Sequence, residues 1–274
     1  MATLDYEAEY DNRRRVPESP EISARWREAS ETYRRHAHAE LDCPYGPGDR
    51  QRYDLFFSNA ANAPLLVYIH GGYWQWGDRR LYAFIAKVFN ASGVDVVLPS
   101  YSLCPMVSVM NIVEELRTCL AVIWQRTGSY PLVAGHSAGG HLAAAMLATD
   151  WSQVADVPED LVRFTASISG IFDLQPLTTT SINQALGLDR PSATAASPRF
   201  WAPPPADRTL LAIVGALESS EFKRQSRDIV QHWSSAGLRA DYVEVPGQNH
   251  FSILDALTAP EGTLSRRLID PASR

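Results

Sequence analysis

From residue 64 onward the chain alternates two kinds of segment, and this alternation limits the fold more than any other property of the sequence. Short apolar runs recur as PLLVYIH (64–70), VDVVLPSY (94–101), YPLVAGH (130–136), FTASISG (164–170), TLLAIVG (209–215) and ADYVEVP (240–246). Between them lie helix-patterned stretches, LYAFIAKVFNAS (81–92), MNIVEELRTCLAVIWQRTG (110–128), AGGHLAAAMLATD (138–150) and EFKRQSRDIVQHWSSAG (221–237). Strands that are apolar throughout must be covered on both faces, and helical crossovers of this length return the chain parallel to itself. A doubly wound, mostly parallel α/β sheet with helices on both faces follows. Its 274 residues suit one such domain, 1–274. Residues 1–60 read as an N-terminal helical extension, with SARWREASETYRRHAHAE (23–40) as its helix, followed by turn-rich DCPYGPGDRQ and the early edge strand RYDLFFS (52–58). Residues 174–206, ending in the WAPPP run, break the rhythm and read as a lid or insertion near the carboxyl ends of the strands.

Several function classes are excluded early. A net charge of −6 with both signs mixed along the chain gives no electrostatic case for nucleic acid. Three cysteines without a CxxC spacing argue against a disulfide framework or a zinc site. The acidic start MATLDYEAEYDNRRRVPE is no signal peptide, and no run approaches the roughly 18 apolar residues of a membrane helix. The expectation is a soluble, cytoplasmic protein, a homodimer being allowed, with no membrane or nucleic-acid partner.

Gly135-His136-Ser137-Ala138-Gly139 carries the chemistry. It is G-x-S-x-G between a strand and a small-residue helix, the context in which that pattern marks a nucleophile on a sharp turn. The same context makes the Ala138 N–H one donor of an oxyanion hole, with the second supplied by a loop after an earlier strand. His70-Gly71-Gly72 occupies such a loop, and adjacent glycines let backbone N–H groups come close to a substrate oxygen. Gly71 and Gly72 are the candidate donors, Gly72 slightly favoured, and His70 is read as holding the loop. The base expected after the last strand is His250; none of His36, His38, His70, His136, His141 or His232 follows that strand. Alternation along the strand points the His136 side chain away. The acid should follow TLLAIVG, where Glu218 comes first, with Glu221 its rival and Asp173 a third option. Asp255 reads as a solvated or capping residue.

With these residues in place, the chain resembles the kynurenine formamidase (arylformamidase) branch of the esterase/lipase α/β-hydrolases. The resemblance rests on HGGYW (70–74), Tyr101-Ser102-Leu103-Cys104-Pro105, GHSAGG (135–140), SGIFDLQPL (169–177), ESSEFKRQS (218–226) and NHFS (249–252), and it spans roughly residues 60–257. It implies the α/β-hydrolase fold and a serine hydrolase that cleaves an aryl formamide such as N-formylkynurenine, or a related aryl amide or ester, through an acyl-serine. Ser137 falls at the nucleophile and His250 at the base. Glu218 stands where the family usually has aspartate, within D-S-P-E-F. That departure leaves a carboxylesterase on short-chain or aryl esters as the alternative. A catalytically dead fold used as a binding module is disfavoured by the retention of Ser137, His250, an acid and the whole HGG loop. Neither a metal nor an organic cofactor is expected. Tyr73 and Trp74 beside the loop are expected to wall a pocket for a small aromatic substrate, Trp76 less so. Cys104 is expected to be a packed hydrophobe, and Phe172 and Trp201 to belong to the lid.

Overall fold

In the computed structural model, which describes residues 4–259 and 262–269, an eight-stranded sheet organises the chain. Its strands are β1 (Ala39–Pro44), β2 (Arg52–Phe56), β3 (Leu65–Ile69), β4 (Asp95–Pro99), β5 (Pro131–His136), β6 (Phe164–Ile168), β7 (Thr209–Gly215) and β8 (Arg239–Val245). They lie in the order β1-β2-β4-β3-β5-β6-β7-β8. The β1–β2 and β2–β4 pairs are antiparallel and all the others parallel. The helices are α1 (Tyr6–Tyr10), α2 (Asn12–Arg15), α3 (Ser19–His36), α4 (Ala83–Ala91), α5 (Val109–Thr127), α6 (Ala138–Leu147), α7 (Asn183–Leu186), α8 (Arg190–Ala195), α9 (Ser220–Ser235), α10 (Ser252–Leu257) and α11 (Thr263–Ile269).

Period-two alternation explains the double coverage. Leu65, Val67 and Ile69 of β3 enter one apolar layer, while Leu66 and Tyr68 enter the other. The first layer gathers Ile112 and Leu116 of α5, Leu142 of α6, and Phe222 and Trp233 of α9. The second gathers Trp26 of α3, Phe84 and Phe89 of α4, and Leu254 of α10. Each such large side chain, fully buried, contributes about 1.5–3 kcal/mol of transfer free energy. Helix α6 has no solvent face at all, every residue from Ala138 to Leu147 being buried. Its alanines and glycines are what allow a helix to lie at the centre of a packed layer.

Two boundaries differ from expectation. Helix α3 starts at Ser19 and stops at His36, not 23–40. Pro20 sits in its first turn, where the missing N–H has no intrahelical partner to lose. The backbone turns extended at Ala37, and Ala39–Pro44 then pairs with β2 as the true edge strand. Arg52–Phe56, expected at the edge, is therefore internal. AELDCP escapes a sequence reading because an edge strand with most residues in contact with solvent needs no apolar pattern. Within β2 the carboxylate of Asp54 is fully buried and accepts from Arg79 Nε at 3.1 Å and from the Asp42 N–H at 2.8 Å, with Arg34 on its other oxygen. A buried charge persists only when it is paired and hydrogen-bonded in this way.

Between β6 and β7 the chain forms α7, α8 and short 3₁₀ turns at Gln175–Thr179 and Pro198–Phe200. Helix α1 reaches across to this insertion and to α9. The Glu7 carboxylate accepts from the Ser181 N–H and Oγ, each at 2.6 Å. Glu9 accepts from Ser220 Oγ at 2.6 Å and from the Glu221 N–H at 2.9 Å. Tyr10, fully buried, donates its hydroxyl to Glu221 at 2.9 Å. Among the described residues no helix is long and apolar enough to cross a membrane.

Candidate active site

Ser137 occupies the single residue between β5 and α6, with φ 58° and ψ −121°. A residue with a Cβ rarely adopts positive φ, so the turn holds strain that its surroundings must fix. They do so by hydrogen bonds: the Ser137 N–H donates to Ile168 O at 2.8 Å, and its carbonyl accepts from the His141 N–H at 3.1 Å. The N–H groups in the first turn of α6, Ala138 included, have no carbonyl available within the helix.

His250 follows β8 and Glu218 follows β7, and the sheet brings the two together. His250 Nδ1 lies 2.7 Å from Glu218 Oε2. The other carboxylate oxygen accepts from Ser169 Oγ at 2.6 Å and from the Gly215 N–H at 2.7 Å. Facing a carboxylate, Nδ1 must carry its proton, which leaves Nε2 as the basic nitrogen. The Phe222 ring packs on the imidazole at a centroid distance of 4.6 Å. Of the competing acids, Glu221 is taken by Arg224, whose Nε lies 2.6 Å away, and by Tyr10. Asp173 accepts from the Gln175 N–H at 2.9 Å, burial pushing its pKa upward, and Asp255 binds Arg25 and Trp26.

His136 does not point away from the site, as alternation suggested. Its ring stands 4.7 Å from that of His250, and its Nε2 is 2.8 Å from the His250 carbonyl. Burial, followed by the neighbouring His250, holds its pKa well below the usual histidine range, so it stays neutral. It braces the His250 imidazole and backbone. Ser169, φ 52°, is a second residue the sequence reading missed. Its only sequence signal is a hydroxyl one residue past the apolar run of β6.

The loop after β3 packs directly on the Ser137 turn. A Cβ placed on Gly71 would stand 2.6 Å from His136 O and 3.0 Å from the Ser137 Cβ. Gly72 has φ 122°, and a side chain there would strike the Trp76 carbonyl. Backbone this close to Ser137 has room for glycine alone. The His70 ring is sandwiched between Tyr101 and Tyr82, at centroid distances of 4.4 and 5.7 Å, and burial lowers its pKa to about 4. Tyr73 donates its hydroxyl to Tyr10 O at 2.6 Å and accepts from Asn12 Nδ2 at 3.1 Å. Trp74 is fully buried, its indole N–H directed at His141 Nδ1 at 3.3 Å. His141 Nε2 in turn reaches Ala196 O of the β6–β7 insertion at 2.7 Å, and burial lowers its pKa to about 4. Trp76 is exposed beneath the Arg13 guanidinium, and Cys104 is buried with its thiol pKa pushed up to about 11 by desolvation.

A serine on a strained strand–helix turn, a carboxylate-bound histidine after the last strand and a glycine loop beside the serine define the α/β-hydrolases, a class of serine hydrolases. The α/β-hydrolase fold family matches residues 66–254. Kynurenine formamidase from Danio rerio is 32% identical over 239 residues, covering 84% of this chain and 80% of that protein. Its Drosophila melanogaster counterpart is 30% identical, covering 82% and 78%. A crystal structure from Silicibacter sp. tm1040 superimposes with a TM-score of 0.87 at 30% identity, covering 96% of this chain and 98% of that one. The chain belongs to the kynurenine formamidase family of α/β-hydrolases.

Proposed function

We propose that the enzyme hydrolyses an aryl formamide of the N-formylkynurenine type by two-step acyl transfer, with Ser137, His250 and Glu218 as its triad. The observation that carries this reading is the Glu218–His250 hydrogen bond at 2.7 Å beside the strained Ser137 turn. The tautomer it imposes leaves His250 Nε2 to take the Ser137 proton as Oγ attacks the formyl carbon. The oxyanion is received by N–H groups of Gly71 or Gly72 and of Ala138, each donor worth roughly 3–4 kcal/mol of transition-state stabilisation. The C–N bond then breaks, His250 returns the proton to the departing aryl amine, and water activated by the same imidazole releases formate from Ser137. Tyr73, with Trp74 behind it, forms the aromatic wall of the substrate pocket. Residues 174–206 form the lid, an assignment supported by their ties to α1 through Ser181 and to α6 through His141. Cys43, Cys104 and Cys119 remain thiols, which supports a cytoplasmic setting. The proposal covers a monomer or homodimer acting on a diffusing small molecule.

A second reading, an esterase acting on short-chain or aryl esters, is favoured by one observation. Glu218 replaces the shorter acid of the related motif, changing how the imidazole is held. Steady-state rates on N-formylkynurenine and p-nitrophenyl acetate decide between the two. Turnover of the formamide at a kcat/KM at least equal to the ester supports the first reading. Turnover of the ester alone overturns it. In either case Ser137→Ala abolishes hydrolysis.

A further inference from the structure

The Tyr101-Ser102-Leu103-Cys104-Pro105 segment has no part in the triad, the oxyanion donors or the pocket, yet it touches the glycine loop at two points. Tyr101 Oη donates to the His70 carbonyl at 2.8 Å, and the Cys104 N–H donates to the Trp74 carbonyl at 2.8 Å. These contacts bracket HGGYW at its first and last residues. Between them, His70 Nδ1 lies 2.8 Å from the Gly71 carbonyl.

The consequence follows from peptide geometry. A trans peptide is planar, with its C=O and the next N–H pointing in opposite directions. Pinning the His70 carbonyl therefore aims the Gly71 N–H, and pinning the Gly71 carbonyl aims the Gly72 N–H. Tyr101 acts on the first plane directly. It acts on the second through the His70 ring, against which it stacks at 4.4 Å with planes 14° apart. Because Nδ1 faces a carbonyl oxygen, it bears the ring's proton and donates it, while Nε2 is buried and has no hydrogen-bond partner among the described residues. Tyr101 is itself fully buried and tethered through its own carbonyl, which accepts from Arg50 Nε at 2.8 Å. The same guanidinium donates from Nη2 to Gly77 O at 2.6 Å, at the far end of the loop. An arginine, a tyrosine and a histidine thus form a frame in which each backbone plane facing Ser137 is set by a side-chain contact on its opposite side.

We infer that Tyr101 is a positioning residue for the oxyanion hole, its hydroxyl orienting the Gly71 and Gly72 N–H groups toward the developing oxyanion. The inference rests on the assignment of those N–H groups as donors to an oxyanion formed at Ser137.

The test is Tyr101→Phe, which keeps the ring and the stack and deletes one hydroxyl. Its control is Tyr45→Phe, which deletes a buried hydroxyl bound at 2.7 Å to the Ser100 carbonyl, one residue from Tyr101 but off the glycine loop. Rates are measured with p-nitrophenyl acetate, and binding with trifluoroacetophenone, whose serine adduct places an oxyanion in the hole. Tyr101→Phe is expected to lower kcat/KM by about tenfold to a hundredfold, less than the loss of a whole donor. It should weaken trifluoroacetophenone by the same factor, while Tyr45→Phe changes neither beyond twofold at a similar loss of Tm. The inference is overturned if Tyr101→Phe leaves both quantities within twofold of the wild type, if kcat/KM falls without a matching loss of trifluoroacetophenone affinity, or if Tyr45→Phe does the same damage. Ser137→Ala separates this from failure of the underlying reading: retained hydrolysis in that variant would remove the serine chemistry itself.

Discussion

Replacing Glu218 by glutamine tests the proposed triad at its least familiar member, and the structure determines what the new amide must do. The carboxylate has three donors: His250 Nδ1 at 2.7 Å on Oε2, with Ser169 Oγ at 2.6 Å and the Gly215 N–H at 2.7 Å on Oε1. Ser169 can rotate its hydroxyl to donate or accept, but the Gly215 N–H can only donate. The glutamine oxygen is therefore held at the Oε1 position, and its NH₂ takes the Oε2 position against the imidazole. Facing a donor, Nδ1 must become an acceptor and the proton moves to Nε2, the nitrogen required to take the proton of Ser137. An imidazole locked in the wrong tautomer costs on the order of 10⁴ in kcat. That corresponds to roughly 5 kcal/mol of barrier. The fold loses little, since side-chain volume and the two bonds on Oε1 persist. The assay is kcat for p-nitrophenyl acetate from pH 6 to 9, together with a urea unfolding midpoint for each variant. Glu218→Gln should lose about four orders of magnitude at every pH with an almost unchanged midpoint. The reasoning is refuted if it stays within tenfold of the wild type, or if Glu221→Gln, whose carboxylate is bound to Arg224 and Tyr10, loses activity in its place.

Gly71→Ala is expected to keep the fold and lose at least about a hundredfold in kcat/KM, because its methyl would stand 2.6 Å from His136 O and 3.0 Å from the Ser137 Cβ and must push the loop away from Ser137. Circular dichroism paired with ester hydrolysis checks it, and full activity would remove Gly71 from the site. The pH dependence of stability follows from His70 and His141, both held near a pKa of about 4 by burial against 6.5 when free, with the buried His136 acting in the same direction. The unfolded chain binds those protons first as pH falls, so their contribution is complete above about pH 6.5. It is lost between pH 6.5 and 4, by as much as about 3 kcal/mol for each ring. Urea midpoints at pH 7 and pH 5 should differ accordingly, with a shallower slope in His141→Gln; equal midpoints would show that the rings titrate normally.

The parallel strands were readable because burial on both faces writes itself as unbroken apolar runs, and β3 through β7 fall where those runs stand. The antiparallel edge obeys a different rule. Ala39–Pro44 has one neighbour and a largely solvent-facing surface, so AELDCP carries no apolar signature: Ala39 and Glu40 read as the end of a helix and Asp42-Cys43-Pro44 as a turn. For the candidate site, Ser137, Glu218 and His250 were legible because each stands at a fixed place relative to a strand end. The partners that hold them were not. Ser169 lies 49 residues from Glu218, and His136 lies 114 from the His250 carbonyl it meets. The closeness of Tyr73 and Trp74 to the glycines is visible in the chain, but their contacts with Tyr10 and His141 depend on how the N-terminal helices and α6 pack.

The N-terminal helices bear on the order in which the molecule is assembled. Tyr10 bonds Glu221, 211 positions later, and Glu7 bonds Ser181, 174 positions later. Contacts spanning so much chain must bear the entropy of closing a large loop before they return anything, so they form after the sheet that positions their partners. The segment that steadies Tyr73 and the start of α9 is thus made before its partners and placed after them, so Tyr73 gains its support only when this stretch docks onto the finished core.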